Sequence, residues 1–529
     1  MLFTSYSFIG FLTILFLLYY SVPKKYQWKL LLMASYIFYA FAGAKFLLYI
    51  AATTITTWYA ALRIERIRQE CTDYRKLHKA EMTKEEKKSH KQAEKKQERV
   101  WLLFCLFFNF GILAVVKYTN FAIANINYFL NMAGKAQLNF FSLALPMGIS
   151  FYTFQSMGYL IDVYRDTNKP EKNLGKFALF VAFFPQLIQG PISRFADLSK
   201  SLCEEHGFDK KQVLFGVERI LWGFFKKLVL ADRIVAAVNT IIHEPETYQG
   251  VYVFIGMLFY AYELYADFTG GIDITIGVAQ VFGVSIKENF ERPYFSKSIK
   301  EYWRRWHITM GTWFTDYIFY PVSVSTPMLK LSKFSRAHFG EAIGKRVPVY
   351  CSTILVWFTT GIWHGASWNF IVWGLMNCLV IMVSQELEPF YRWFHARFKV
   401  RDKWFFRAFQ VIRTVLLMSA LRMFDCYRDV PLTFKMFADM LTNHNFFVLF
   451  EGGLMNLGLT AADYVILTAG LVVLLMVSLK QRGRKIREEL YKKPWQLQAA
   501  VIYLLFFAVL IFGAYGIGYD ASQFIYNQF

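Results

Sequence analysis

The chain has 529 residues, of which 56% are hydrophobic, 19% aromatic and only 18% charged, with a formal net charge of +21. Soluble domains carry roughly 25% charged residues, whereas here the apolar residues come in runs of about 20, each able to cross a ~30 Å hydrocarbon core. That pattern argues against a large soluble helical protein. The positive charge collects in loops between the runs, as in membrane proteins, with no basic, aromatic-interleaved surface to suggest nucleic acid.

In chain order the expected spans are 8–22, 30–42, 47–62, 100–119, 143–163, 177–192, 213–229, 251–268, 272–284, 349–363, 366–384, 409–423, 464–479 and 499–517. Met1 to Phe8 hold no Lys or Arg, so a cleaved signal peptide is not expected. Several spans are short or interrupted by Gly and Pro, and these are expected to re-enter or to lie in the interface, where protein satisfies their backbone groups. Read this way the chain is an all-α, polytopic integral membrane protein with a single membrane domain over 1–529.

Basic loops at 24–29, 63–99, 287–305, 330–346, 392–407 and 480–493 are expected in the cytosol, with both termini extracytoplasmic. Residues 65–99 form a charged insert, expected to be a solvated cytosolic helix or hairpin, with partner docking or lipid binding as the competing reading. Its pairs, such as Glu86 with His90 and Glu94 with Glu98, form no clean salt-bridge ladder. The six cysteines show no C-x-x-C pair and no zinc-ligand spacing, so they read as free thiols and no metal site is expected. No internal repeat marks an inverted-repeat transporter.

Polar residues inside apolar sequence are expensive in a membrane and are functional candidates by default. His364 stands in Thr360-Gly361-Ile362-Trp363-His364-Gly365-Ala366-Ser367-Trp368-Asn369, between two apolar runs. Desolvation there favours the neutral imidazole, a base able to activate a hydroxyl for attack on a thioester; a structural histidine between helices is the competing assignment. His307 follows Trp303, Arg304, Arg305 and Trp306. Read as one helix, Trp303, Trp306, His307, Met310 and Phe314 share a face, with Arg304, Arg305 and Asp316 toward another. The arginines suit a phosphorylated donor, or equally the anchors of an interfacial helix. Asp267 and Asp273 read as interhelical glue, as partners of intramembrane Arg, or as a metal or proton site. Arg422 and Asp425 read as a local pair near a helix end.

Five stretches resemble the membrane-bound O-acyltransferase family: Leu145 to Gln155 (LPMGISFYTFQ), Phe183 to Pro191 (FFPQLIQGP), Glu288 to Tyr294 (ENFERPY), Trp303 to His307, and Gly361 to Gly365. The resemblance is strongest to the bacterial branch containing the membrane proteins of alginate O-acetylation and of teichoic acid D-alanylation. The ending Phe524-Ile525-Tyr526-Asn527-Gln528-Phe529 is also similar to the alginate type. Departures are Gly271-Ile272, where relatives often carry Tyr-Ser, and the long 65–99 insert.

The resemblance implies a ring of tilted helices around a central tunnel, with the motif-bearing core over 145–375. It implies catalytic roles for His364 and His307, and makes Arg304, Arg305, Trp303 and Trp306 candidates for donor binding. Asn289, Asp267, Asp273, Asp316 and Asn369 are then tunnel or structural polar groups. The expected reaction transfers an acyl group, acetyl first, from cytosolic acetyl-CoA or another thioester toward an extracellular polysaccharide or wall polymer. No bound cofactor is expected, a separate extracytoplasmic transferase is the expected partner, and the location is a bacterial inner membrane. The competing functions are D-alanyl transfer to teichoic acid and a non-catalytic transporter of donor or polymer.

Overall fold

A computed structural model describes residues 3–515, so the 524–529 ending lies outside the described residues. Helices dominate, and no strand occurs among the described residues. Among the described residues, six helices are long and apolar enough to cross a membrane: Lys84–Met132, Val251–Val281, Trp368–Glu386, Trp404–Tyr427, Ala461–Lys480 and Trp495–Phe512. The protein is therefore all-α and polytopic. Two compact units are distinguished, Met1–Val213 with Val278–Lys287, and Leu214–Gly277 with Glu288–Phe529.

In the first unit the charged insert is a helical hairpin. Helix Leu47–Leu77 runs out of the apolar region, and helix Lys84–Met132 returns over 49 residues. Thr83 starts the return: its hydroxyl accepts the Glu86 N–H, and the Glu86 carboxylate accepts the Thr83 N–H at 2.8 Å, which satisfies two orphan donors at the helix start. Those bonds hold the Glu86 carboxyl below its usual range, the Thr83 backbone contributing most. Contrary to the expectation of no ladder, ion pairs join the two helices, between residues too far apart in sequence for helical spacing to show. Arg68 meets Glu98 at 3.0 Å and Asp166 at 2.9 Å, and Arg75 pairs with Glu94. Arg68 also donates to the Val163 and Tyr164 carbonyls, each at 3.0 Å, tying the hairpin root to the next helix.

Two expected spans of this unit differ from their hydropathy. The run at 143–163 becomes helical only at Ile149, after Gly148 at φ +70°. A Cβ at Gly148 would lie 2.3 Å from the Leu187 carbonyl oxygen, so backbone contact requires glycine there. The run at 177–192 is broken into Leu174–Ala182 and Phe184–Leu187 around Phe183 and Pro185. Side chains take up the freed backbone groups: the Ser35 hydroxyl accepts the Phe184 N–H, and the Gln155 amide donates to the Phe180 carbonyl at 2.8 Å. A broken helix is tolerated at membrane depth on those terms.

In the second unit the expected spans 251–268 and 272–284 are one helix, Val251–Val281. Gly270 and Gly277 are contact points within it rather than breaks. A Cβ on Gly223 would sit 2.6 Å from the Gly270 carbonyl oxygen, and one on Gly277 would sit 2.8 Å from that of Gly216. Small residues thus let helix Lys210–Phe224 lie backbone to backbone on Val251–Val281.

Helix Lys210–Phe224 then widens into a π-turn, Phe225–Ala231. There Lys227 reaches Asp267 at 2.5 Å and Asp232 at 2.7 Å, while Lys226 reaches Asp273 at 2.6 Å. Arg219 pairs with Asp273 and Glu288. Asp267 and Asp273 are therefore ion-paired between helices, largely to lysines that hydropathy had buried inside an expected span.

Candidate active site

Both histidine motifs lie in the second unit, and local geometry explains how each is presented. Ser298 caps helix Ile299–Arg305 by accepting the Glu301 N–H at 3.2 Å. The chain then breaks: Trp306 is extended, His307 is left-handed at φ +48°, and a new helix runs Ile308–Phe314. The single-helix reading of residues 302–314 is thereby corrected. Asn289 makes the break possible, because its backbone carbonyl accepts the Ile308 N–H at 3.0 Å and its side-chain oxygen accepts both the N–H and the hydroxyl of Thr309. This fully buried side chain caps a helix from outside it, offsetting the roughly 1–2 kcal/mol of a left-handed residue.

His364 is the last residue of helix Glu341–His364, and helix Trp368–Glu386 turns back against it. The flanking glycines serve that turn. A Cβ at Gly361 would lie 2.5 Å from the Phe370 carbonyl oxygen, and one at Gly374 would lie 2.4 Å from that of Trp357. Asn369 secures the corner, donating to the Phe424 carbonyl at 3.1 Å.

Aromatic rings join the two histidines. Trp363 stands 5.8 Å from His307 and 5.0 Å from His364, between ring centroids. On the other side Trp373 meets His364 edge-on at 4.7 Å. The Arg422 guanidinium lies 4.7 Å from the Trp373 ring, 5.3 Å from Trp306 and 5.8 Å from Trp303. Since Trp306 precedes His307, the contacts close into a ring: His307, Trp363, His364, Trp373, Arg422, Trp306. His307 is fully buried and His364 is 4% exposed. His307 lies outside the candidate spans, and burial first, the Arg422 charge second, pushes its imidazole down to about 3. A neutral imidazole is a free base at physiological pH.

Beside this ring is a cavity of about 950 Å³. Trp303, Arg304, Trp306, Asp316 and Thr360 line it, with Lys297, Lys300, Arg413 and several phenylalanines on the remaining wall. Neither histidine lines it; Trp303 and Trp306 do. Arg305 is turned to Glu301 at 2.7 Å and is not part of the lining. The structure therefore brings together His307, His364, Trp303, Trp306 and Arg304, with Asn289 and Asn369 as supports. It separates Arg305, Asp267 and Asp273 from that group by giving each its own ion pair.

Arg422 is the residue that sequence reasoning missed here. Its Asp425 partner at 3.5 Å was foreseen, but its three tryptophan neighbours come from distant parts of the chain: helix Ile299–Arg305, the break after it, and helix Trp368–Glu386. The available signal was an arginine inside an apolar run.

The site thus holds two buried imidazoles joined by aromatic rings, beside a large cavity in an all-helical membrane chain. The chain belongs to the membrane-bound O-acyltransferase family, whose sequence profile matches residues 171–427 and so includes both histidines, and it is an acyltransferase. It is 34% identical over 392 residues to a probable alginate O-acetylase of Azotobacter vinelandii, covering 73% of this chain and 69% of the relative. A peptidoglycan O-acetyltransferase of Helicobacter pylori is 27% identical over 413 residues, covering 73% and 70%. A teichoic acid D-alanyltransferase of Bacillus subtilis is 27% identical over 258 residues, covering 47% and 61%. Family membership sets aside the transporter alternative.

Proposed function

We propose that this protein moves an acetyl group from a cytosolic thioester, acetyl-CoA as the first choice, toward an extracellular polysaccharide or wall polymer. His364 removes the proton from the attacking hydroxyl as the oxygen bonds to the thioester carbonyl carbon. The tetrahedral intermediate then expels the thiolate, which takes that proton from the imidazolium, so the base is regenerated and atoms balance. His307 positions the carbonyl or stabilises charge on its oxygen. The observation that carries the reading is the pair of buried, ring-linked histidines beside a cavity large enough for a thioester arm. Arg304 on the cavity wall suits the donor's phosphates by charge-assisted bonds.

Acetyl is preferred to D-alanyl because the acetylating relatives match over more of the chain than the D-alanylating one. The receiving hydroxyl belongs either to the polymer or to a separate extracytoplasmic transferase that passes the group on. The location that goes with this chemistry is a bacterial inner membrane, with both termini extracytoplasmic. The test is to reconstitute the purified protein with labelled acetyl-CoA and follow label release and transfer. Thioester turnover abolished by His364→Gln is the expected result. Turnover that starts only with a D-alanyl carrier as donor would move the assignment to the teichoic acid branch.

A further inference from the structure

The arginine in the aromatic ring is unexplained by the acyl-transfer chemistry, and its surroundings are unusual. Arg422 is 4% exposed and Asp425 is 3% exposed, yet their separation of 3.5 Å is longer than the 2.5–2.8 Å of the other buried pairs in this unit, those of Arg219, Lys226 and Lys227. A desolvated guanidinium needs more than one loose carboxylate to offset its burial. Three tryptophan faces at 4.7, 5.3 and 5.8 Å contribute to that, cation–π contacts that strengthen when water is excluded.

Those three tryptophans have different duties. Trp303 and Trp306 form part of the cavity wall. Trp306 is also the residue before His307, at the left-handed break. Trp373 packs edge-on against His364. One side chain, from helix Trp404–Tyr427, thus grips the wall of the cavity, the approach to His307 and the ring that abuts His364.

We propose that Arg422 is a positioning residue for acyl transfer, clamping the tryptophan partition between the cavity and the two histidines so that both imidazoles keep their alignment. The proposal rests on the functional reading above for its kinetic test. It requires a planar cation. Lysine keeps the charge but is a compact, strongly hydrated ammonium that cannot lie flat on several rings.

The experiment uses three full-length proteins in the same detergent or vesicles: wild type, Arg422→Lys, and the double variant Arg422→Met with Asp425→Asn. The double variant removes both charges, so no buried ion is orphaned and the chain is expected to fold. With acetyl-CoA as probe, its KM is expected to stay at the wild-type value while kcat falls about 10- to 100-fold, the cost of misplacing a reacting group by about 1 Å. Arg422→Lys is expected to fall between the two. A double variant with wild-type kcat, or one whose loss appears wholly in KM or in the amount of folded protein, overturns the clamp.

A second readout does not depend on turnover. Diethyl pyrocarbonate modification of His307 and His364, mapped by mass spectrometry, is expected to be slow in wild type and faster at both histidines in the double variant. Unchanged modification rates overturn the clamp even if wild type transfers no acetyl group, an outcome that would count separately against acetyl-CoA as donor.

Discussion

At the residue scale, His364 separates chemistry from packing most cleanly. His364→Gln retains a polar side chain of similar reach but cannot take up a proton near neutral pH. Transfer is expected to drop by about two to four orders of magnitude, with thermal stability close to wild type. A purely structural histidine would instead cost about 1–3 kcal/mol of stability through the partner left unsatisfied, with activity falling only as folded protein is lost. The two arginines of the Trp303–His307 block are expected to differ. Arg304→Gln should raise the KM for acetyl-CoA, because that side chain lines the cavity, whereas Arg305→Gln should leave KM nearly unchanged, because Arg305 is paired with Glu301. Equal effects in steady-state kinetics would refute the distinction. Sequence marked these residues as polar groups in apolar surroundings, and only the family resemblance chose between their structural and catalytic readings. Asn289 as the external cap of the Ile308–Phe314 helix was not legible, because the break at His307 depends on a backbone approach that no spacing encodes.

At the element scale, hydropathy located apolar runs well and their continuity poorly. Gly270 and Gly271 looked like a break between spans, yet glycine inside a long helix also serves close packing, and only the partner helix decides between the two. The glycine pairs make a direct prediction. Gly223→Leu should lower the unfolding temperature, since overpacking of this kind costs about 1–3 kcal/mol and the new Cβ would meet the Gly270 backbone at 2.6 Å. Gly10→Leu is the matched control, because nothing lies within 4 Å of its Cβ position; equal melting temperatures for the two variants would contradict the packing. At 177–192, a run that holds Gly and Pro, the helix breaks at Phe183, just before Pro185. The hairpin's ladder was invisible within one helix because its rungs, Arg68 with Glu98 and Arg75 with Glu94, join residues on different helices. Arg68→Gln removes one of the two cations on the buried Glu98 carboxylate, leaving Lys95 at 2.6 Å, and also breaks the pair with Asp166, a loss of about 1–3 kcal/mol for a buried network. Faster proteolytic cutting within 65–99 is the expected consequence, and wild-type resistance would show that the ladder is dispensable.

At the scale of the whole molecule, the class of protein was readable from composition and run length, and the family from five short motifs in order. What composition left open is which side each loop faces. The basic loops favour the cytosol for the hairpin, so a cysteine placed at Ser89 in a cysteine-free background should react with an impermeant thiol reagent only after the membrane is opened. Labelling from intact cells would reverse the orientation. The hairpin has one more consequence. A helix of 49 residues is about 74 Å long at ~1.5 Å per residue, against a hydrocarbon core of ~30 Å. The charged first third therefore stands clear of any micelle as a continuation of an apolar helix, with Arg68 bracing its root. Electron-microscopic images of small, smooth membrane proteins are hard to orient for want of such a landmark. A rigid domain grafted at the tip, between Leu77 and Lys84, would turn with the membrane helices and supply a built-in fiducial for particle alignment.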